Sequence, residues 1–416
     1  MKRFIFLFLT TAFFIAGCKK DTVKERYSFY RPVYRTKSDV RSDIRNTAPQ
    51  AVKAGGKLVW KDHYVFLNDL DRGVHIIDIA DPYKPKQVSF IRIPGCEDLA
   101  VNGNYLYADC FTELVTIDIS DPQHIALKAF IPAVFPGRIY PGIRNDTSMI
   151  ITDWIKIDTL IEKDMNKADP YSGPTFFGAY SSSSGLPGSS GPGLGSGTGT
   201  GGSMARFALQ NQRLYTVGSA ELKVFNTSNA ALPAFVTTVI PGTGGIETIY
   251  PYQDKLFIGC TTGMFVFSTQ NPDQPVRLSR FEHARTCDPV IADGDYAYVT
   301  LRSTGVCGGT ANQLDLVNIS NILSPKLVQS YALKSPGGLS KDGNLLFICD
   351  GTVGLKVFDA SNLNQLVQIK QFAGFTAYDV IAAQGIAIVA GPDGLHLFDY
   401  SNPAGIKQAG TVLTTK

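Results

Sequence analysis

An all-β chain assembled from repeated four-stranded sheets is what this sequence predicts, on three observations. Seven stretches end in nearly the same phrase: GVHIIDIADPYKP from Gly73, LVTIDISDPQHI from Leu114, LKVFNTSNAALP from Leu222, MFVFSTQNPDQP from Met264, LDLVNISNILSP from Leu314, LKVFDASNLNQL from Leu355 and LHLFDYSNPAGI from Leu395. Their anchors, Asp78, Asp118, Asn226, Ser268, Asn318, Asp359 and Asp399, are spaced by 40, 108, 42, 50, 41 and 40 residues, so one unit is about forty residues, the range of a repeat architecture. Within a unit, short alternating or β-branched runs are separated by turn residues, as in CEDLAVNG, YLYADC, LVTIDIS and IALKAFIP of the second.

Each anchor precedes a Ser/Ala-Asp/Asn-Pro type turn, where a short side-chain oxygen accepts a backbone N–H and proline pre-sets φ. One such sheet cannot hide two apolar faces. Sheets repeated around an axis bury both against their neighbours, which predicts a β-propeller of about seven blades over residues 56–416. A linear β-solenoid is the architectural alternative, with coils usually shorter than forty residues. The 108-residue gap between Asp118 and Asn226 holds IYPGIRNDTSMIITDWIKIDTLIEKD and then a Gly/Ser-rich run over 179–203. Residues 138–203 are therefore expected to form a partial blade or hairpin with a flexible, solvated insertion, which leaves an eighth blade open.

The N-terminus supplies an address. Met1-Lys2-Arg3 is a basic segment, Phe4 to Ile15 an apolar run too short to span a bilayer comfortably, and Ile15-Ala16-Gly17-Cys18 follows. The small residues before Cys18 resemble the bacterial lipoprotein cleavage motif. That resemblance implies a signal peptide over 1–17, lipidation of Cys18 and a lipidated tether over 18–55. Lys19 in place of Asp resembles outer-membrane lipoproteins, on either the periplasmic or the external side. Tyr27, Phe29, Tyr30, Val33 and Tyr34 are apolar for a pure linker, so part of this stretch is expected to lie on the propeller surface.

Composition agrees with a folded exported domain: 44% hydrophobic, 11% aromatic and 18% charged residues. The net charge of +3 falls to +1 when Lys2 and Arg3 leave with the leader, and the remaining Arg and Lys are scattered, which counts against nucleic acid.

Six cysteines besides Cys18 enter an export route that favours disulfides. Repeat alignment places Cys96 with Cys110 and Cys287 with Cys307 at facing ends of first and second strands, so both pairs are expected to bridge. Cys260 and Cys349 are expected as buried thiols. No CxxC occurs and the five His are dispersed, which argues against zinc.

The same alignment sets Asp98 level with Lys57, Arg206, Thr248, Asp288, Gly338 and Asp379, positions that ring one mouth of a propeller channel. Lys57, Asp98, Arg206, Asp288 and Asp379 are the candidate ligand-binding residues, for a polar or ionic ligand or for Ca²⁺ held by Asp98, Asp288 and Asp379. The alternative is that these groups pair with one another.

LVTIDISDP and GVHIIDIADP resemble the LVIVD repeat of bacterial surface and secreted propellers, many of them lipoproteins. The run from Cys287 to Ser320 is similar to the best-kept blade of such lipoproteins in the Bacteroidota, and SMARFALQNQRLYTV also resembles them. The resemblance implies an exported interaction domain and carries no catalytic residues. No GxSxG, HExxH, P-loop or EF-hand phrase is present. A non-catalytic, lipid-anchored scaffold for a protein or extracellular polymer is therefore expected. A polysaccharide- or lactone-acting enzyme using an acidic channel mouth is the alternative.

Overall fold

The computed structural model describes residues 22–135, 149–164, 197–242, 244–283, 289–303 and 310–413. Met1–Tyr34 with Ile151–Ser183 form one compact unit, and Arg35–Ile150 with Ser184–Lys416 the other.

The larger unit is a β-propeller of seven four-stranded blades. The innermost strands are Gly55–Lys61, Leu99–Asn102, Phe207–Gln210, Ile246–Tyr252, Val290–Asp293, Leu339–Asp342 and Asp379–Ala383 for blades 1 to 7. Each packs against the next, and that of blade 7 packs against that of blade 1. All strands within a blade are antiparallel neighbours in chain order. The eighth blade left open by the spacing does not form among the described residues.

Every anchor residue is the last residue of its blade's third strand. There its side-chain oxygen accepts the N–H two residues on, from Asp78 to Ala80 at 2.8 Å through to Asp399 to Ser401 at 2.9 Å. A second turn of the same kind follows three residues later in all seven blades, at Asp81, Asp121, Asn229, Asn271, Asn321, Asn362 and Asn402. Short side chains with an acceptor oxygen are what this pair of turns requires, and that requirement wrote the repeat. At the other end of the third strand, Gly73, Gly263, Gly354 and Gly394 take positive φ, and a Cβ there would overlap a carbonyl oxygen of the fourth strand.

Closure uses no shared strand, because blade 1 and blade 7 are each built from their own stretch of chain. The seam is apolar instead: Val52, Leu58, Leu67 and Ile77 pack with Ile381, Ile388, Leu395 and Leu397. On its rim, the Tyr83 hydroxyl of blade 1 donates to the Asp399 carboxylate of blade 7.

Residues 37–54, within the stretch expected as tether, pack on this unit. Helix α1 (Lys37–Ser42) is capped by Thr36, whose hydroxyl oxygen accepts the Asp39 N–H at 3.1 Å. Val40, Ile44 and Val52 are buried among blade residues. Arg41 forks onto the buried Glu113 carboxylate of blade 2 with two bonds of 2.8 Å and lies over the Phe130 ring. Arg45–Thr47 then adds antiparallel to the outermost strand of blade 1.

In the smaller unit Thr22–Thr36 pairs with Met149–Asp164 in a two-stranded sheet. Tyr27 to Tyr34, expected on the propeller surface, belong to this sheet, and the region read as a partial blade contributes its second strand. Val33 meets Thr152 and Ser28 meets Asp158, the opposed numbering of an antiparallel pair.

Candidate functional site

Two of the channel-mouth residues are brought directly together. Lys57, on the innermost strand of blade 1, and Asp98, just before that of blade 2, form an ion pair in which each side chain is 2% exposed. Burial pushes the Lys57 ammonium below its ordinary pKa, with Asp98 opposing and Arg206 adding to the fall. The other Asp98 contacts are backbone amides: Leu99 N–H donates at 2.7 Å and Arg206 N–H also donates to it. The Arg206 guanidinium turns to Glu97 at 3.3 Å. The Asp109 carboxylate accepts the N–H groups of Glu97 and Asp98 at 2.7 and 2.8 Å, which holds this corner rigid.

Asp379 begins the innermost strand of blade 7. It is fully buried, accepts its neighbour Val380 N–H at 2.6 Å, and with Asp350 and burial raises the Cys349 thiol pKa. Asp288 lies outside the described residues, as do Cys18, Cys287 and Cys307. No group of three His, Cys, Asp or Glu able to hold a metal ion occurs among the described residues. Of the residues expected to hold Ca²⁺, Asp98 faces an ammonium.

The chain itself runs along the inner edges of the innermost strands. Residues 197–203, expected as part of the solvated Gly/Ser insertion, are built into the ring. Thr200–Gly201 pairs with Trp60 and Val59 on the inner edge of blade 1. Gly199 N–H donates to Val101 O of blade 2 at 2.7 Å, and Gly202 N–H to Leu58 O at 3.2 Å. The buried Ser203 hydroxyl accepts Leu339 N–H of blade 6 at 2.8 Å, and Ala205 O accepts Ile249 N–H of blade 4 at 2.8 Å. One segment thus satisfies inner-edge groups of four blades, a course that crosses the ring. Composition misled here because the pairing is made by the backbone, and at Gly199 a Cβ would run into the Val59 side chain. The lone Ser203 side chain was the one readable sign.

Cys96 and Cys110 are buried thiols and not a disulfide, so the expected bridge is corrected. The Cys96 sulfur accepts an Asn68 amide N–H at 3.3 Å and donates toward Asp98 O at 3.6 Å, which directs it into its own corner. Cys260 and Cys349 are buried thiols, as expected.

An open cleft lies between blades 6 and 7, with a volume of about 760 Å³. Asp342, Asp359, Ile369, Gln384, Tyr400 and Pro403 are among its lining residues. The Tyr400 hydroxyl donates to Asp342, and burial followed by that carboxylate raises its pKa.

Comparison with known proteins places two stretches, residues 96–130 and 284–332, in the LVIVD repeat. No curated protein matches the chain. Among solved structures it is similar to a protein from Lactobacillus plantarum, with TM-score 0.53 and 11% identity over 86% of this chain and 97% of that one. The computationally designed Ika8 protein gives TM-score 0.52 and 9% identity over 89% and 91%. The periplasmic gluconolactonase PpgL of Pseudomonas aeruginosa gives 0.50 and 13% over 87% and 96%. At these identities the likeness is one of fold.

Proposed function

We propose that this protein is a lipid-anchored cell-envelope scaffold whose propeller presents binding surfaces to a protein or an extracellular polymer. The carrying observation is where the polar side chains of the repeat are used. All seven anchors are engaged in turns, and the segment 197–203 and the Lys57–Asp98 pair engage inner-edge groups of the ring. That leaves the outer strands and the clefts between blades as the surfaces offered outward. Cys18 after its apolar leader supports anchoring, and more than one acyl chain there makes it durable. The resemblance to Bacteroidota lipoproteins supports an outer-membrane address. The enzymatic alternative, acting on a polysaccharide or lactone, needs acidic groups free at the mouth, and Asp98 is committed to Lys57, Leu99 and Arg206.

The test places photo-crosslinking residues on the outer strands of each blade in the full chain expressed in its native envelope. Discrete adducts confined to particular blades are expected, and Cys18→Ser moves the protein to the soluble fraction. Uniformly absent adducts overturn the scaffold reading. Unchanged membrane association of the Cys18→Ser chain overturns the anchor.

A further inference from the structure

Resting on the scaffold reading, the geometry points to one docking site and its occupant: an extended segment of a partner protein that adds antiparallel to the outer edge of blade 6, with an Asn side chain reaching the turn Pro403–Ile406 of blade 7. The reasoning starts from a carbonyl that recurs four residues after each anchor. At five junctions a hydroxyl of the preceding blade donates to it: Ser89 to Pro122 O, Tyr107 to Ala230 O, Tyr215 to Pro272 O, Ser279 to Ile322 O and Tyr331 to Leu363 O, at 2.5 to 2.9 Å.

Three residues further on, four blades carry proline, Pro85, Pro233, Pro275 and Pro325, with no N–H to satisfy. The other three carry Ile125, Leu366 and Ile406. In blade 2 the Asn46 amide bridges both groups, donating to Pro122 O at 3.1 Å and accepting Ile125 N–H at 2.6 Å. In blade 6 the Tyr331 hydroxyl does the same, accepting Leu366 N–H at 3.4 Å. Blade 7 has neither proline nor, among the described residues, a bridging side chain. At the three positions from which hydroxyls come elsewhere, blade 6 has Phe347, Lys370 and Phe372. The blade 7 turn Pro403–Gly405 is closed by Gly405 N–H donating to Asn402 O at 2.9 Å, as the corresponding turns of the other six blades are, so it differs from them in what meets its outward groups.

The open cleft lies at this junction and Pro403 lines it. The flanking outer strand Val367–Phe372 leaves Val367 50% and Ile369 42% exposed. What covers such a place is visible in the molecule itself. Arg45–Thr47 pairs with the outer strand of blade 1, with Asn46 opposite Ile91, and from there Asn46 reaches blade 2. Phe372 holds the Ile91 position in blade 6. Strand addition supplies affinity through main-chain bonds, and the carboxamide supplies selectivity.

The probe is a labelled peptide of residues 43–49, Asp-Ile-Arg-Asn-Thr-Ala-Pro, titrated into the full chain by fluorescence anisotropy. Saturable binding is expected, weakened at least fivefold when the central Asn of the peptide is replaced by Ala. Ile406→Pro copies four other blades, and Phe347→Tyr installs the hydroxyl used by Tyr107 and Tyr215. Both variants are expected to fold, Ile406→Pro with a lower Tm because Ile406 is buried in the core, and to bind the probe at least fivefold more weakly. No saturable binding, or equal binding by these variants, overturns the proposal. Envelope adducts formed equally by wild type and Phe347→Tyr/Ile406→Pro remove this site and leave the scaffold reading standing.

Discussion

The Lys57 ammonium and the Asp98 carboxylate face each other across the junction of blades 1 and 2, out of contact with water. Removing one partner of such a pair strands a charge. Lys57→Met is therefore expected to cost about 3–5 kcal/mol in urea unfolding. Lys57→Met/Asp98→Asn should recover part of that loss, because no charge is left buried, although Leu99 and Arg206 donate to different carboxylate oxygens and an Asn can accept only one of the two amides. A single-variant loss below about 1 kcal/mol contradicts the buried pairing.

Acid should act through the anchors. Hydrogen bonds from the Ser401 hydroxyl, then Tyr83 and the Ser401 amide, pull Asp399 down to about 2. Its folded pKa lies below the unfolded value near 3.9, so its contribution is complete above about pH 4 and is lost as pH falls toward about 2. Asp399→Asn keeps the turn, as Asn226 and Asn318 do elsewhere. Its Tm is expected to lie below wild type at pH 7, where the contribution of the charge is missing, and to fall less steeply between pH 4 and 2, so that the two converge; parallel acid profiles contradict this.

Asp118→Ala, by contrast, removes the acceptor for Ser120 N–H and should cost about 1 kcal/mol, with Asp118→Asn near neutral. Equal losses in thermal unfolding would assign the anchor a role other than the turn. These anchors were legible in the sequence because a side chain makes the bond. The staples between blades were not, because their acceptors are backbone carbonyls that any residue supplies, and Tyr107 and Tyr215 read simply as strand residues. The ring-crossing segment was hidden for the same reason, its bonds being nearly all main-chain.

Arg41→Ala leaves Glu113, 1% exposed, with Lys37 at 3.7 Å as its remaining cation. Residues 37–54 are expected to lose hydrogen-exchange protection, with a cost of about 2–4 kcal/mol. Unchanged protection there contradicts the role given to this fork.

Native alkylation should leave Cys96, Cys110, Cys260 and Cys349 unmodified, because all four are buried and burial raises the Cys349 thiol. After unfolding without reductant, all four should react. Failure of Cys96 and Cys110 to react then restores the disulfide.

The seam between blades 1 and 7 bears on how the chain comes to be made. With no strand shared between the chain's two ends, the apolar flank of blade 1 has no cover until the polypeptide through Leu413 has emerged. A chain emerging from its N-terminus would spend most of its synthesis with Leu58, Leu67 and Ile77 waiting for Ile388 and Leu397. Holding chaperones would be needed most over that interval, and a truncation anywhere in the last blade should yield an aggregating product rather than a six-bladed one.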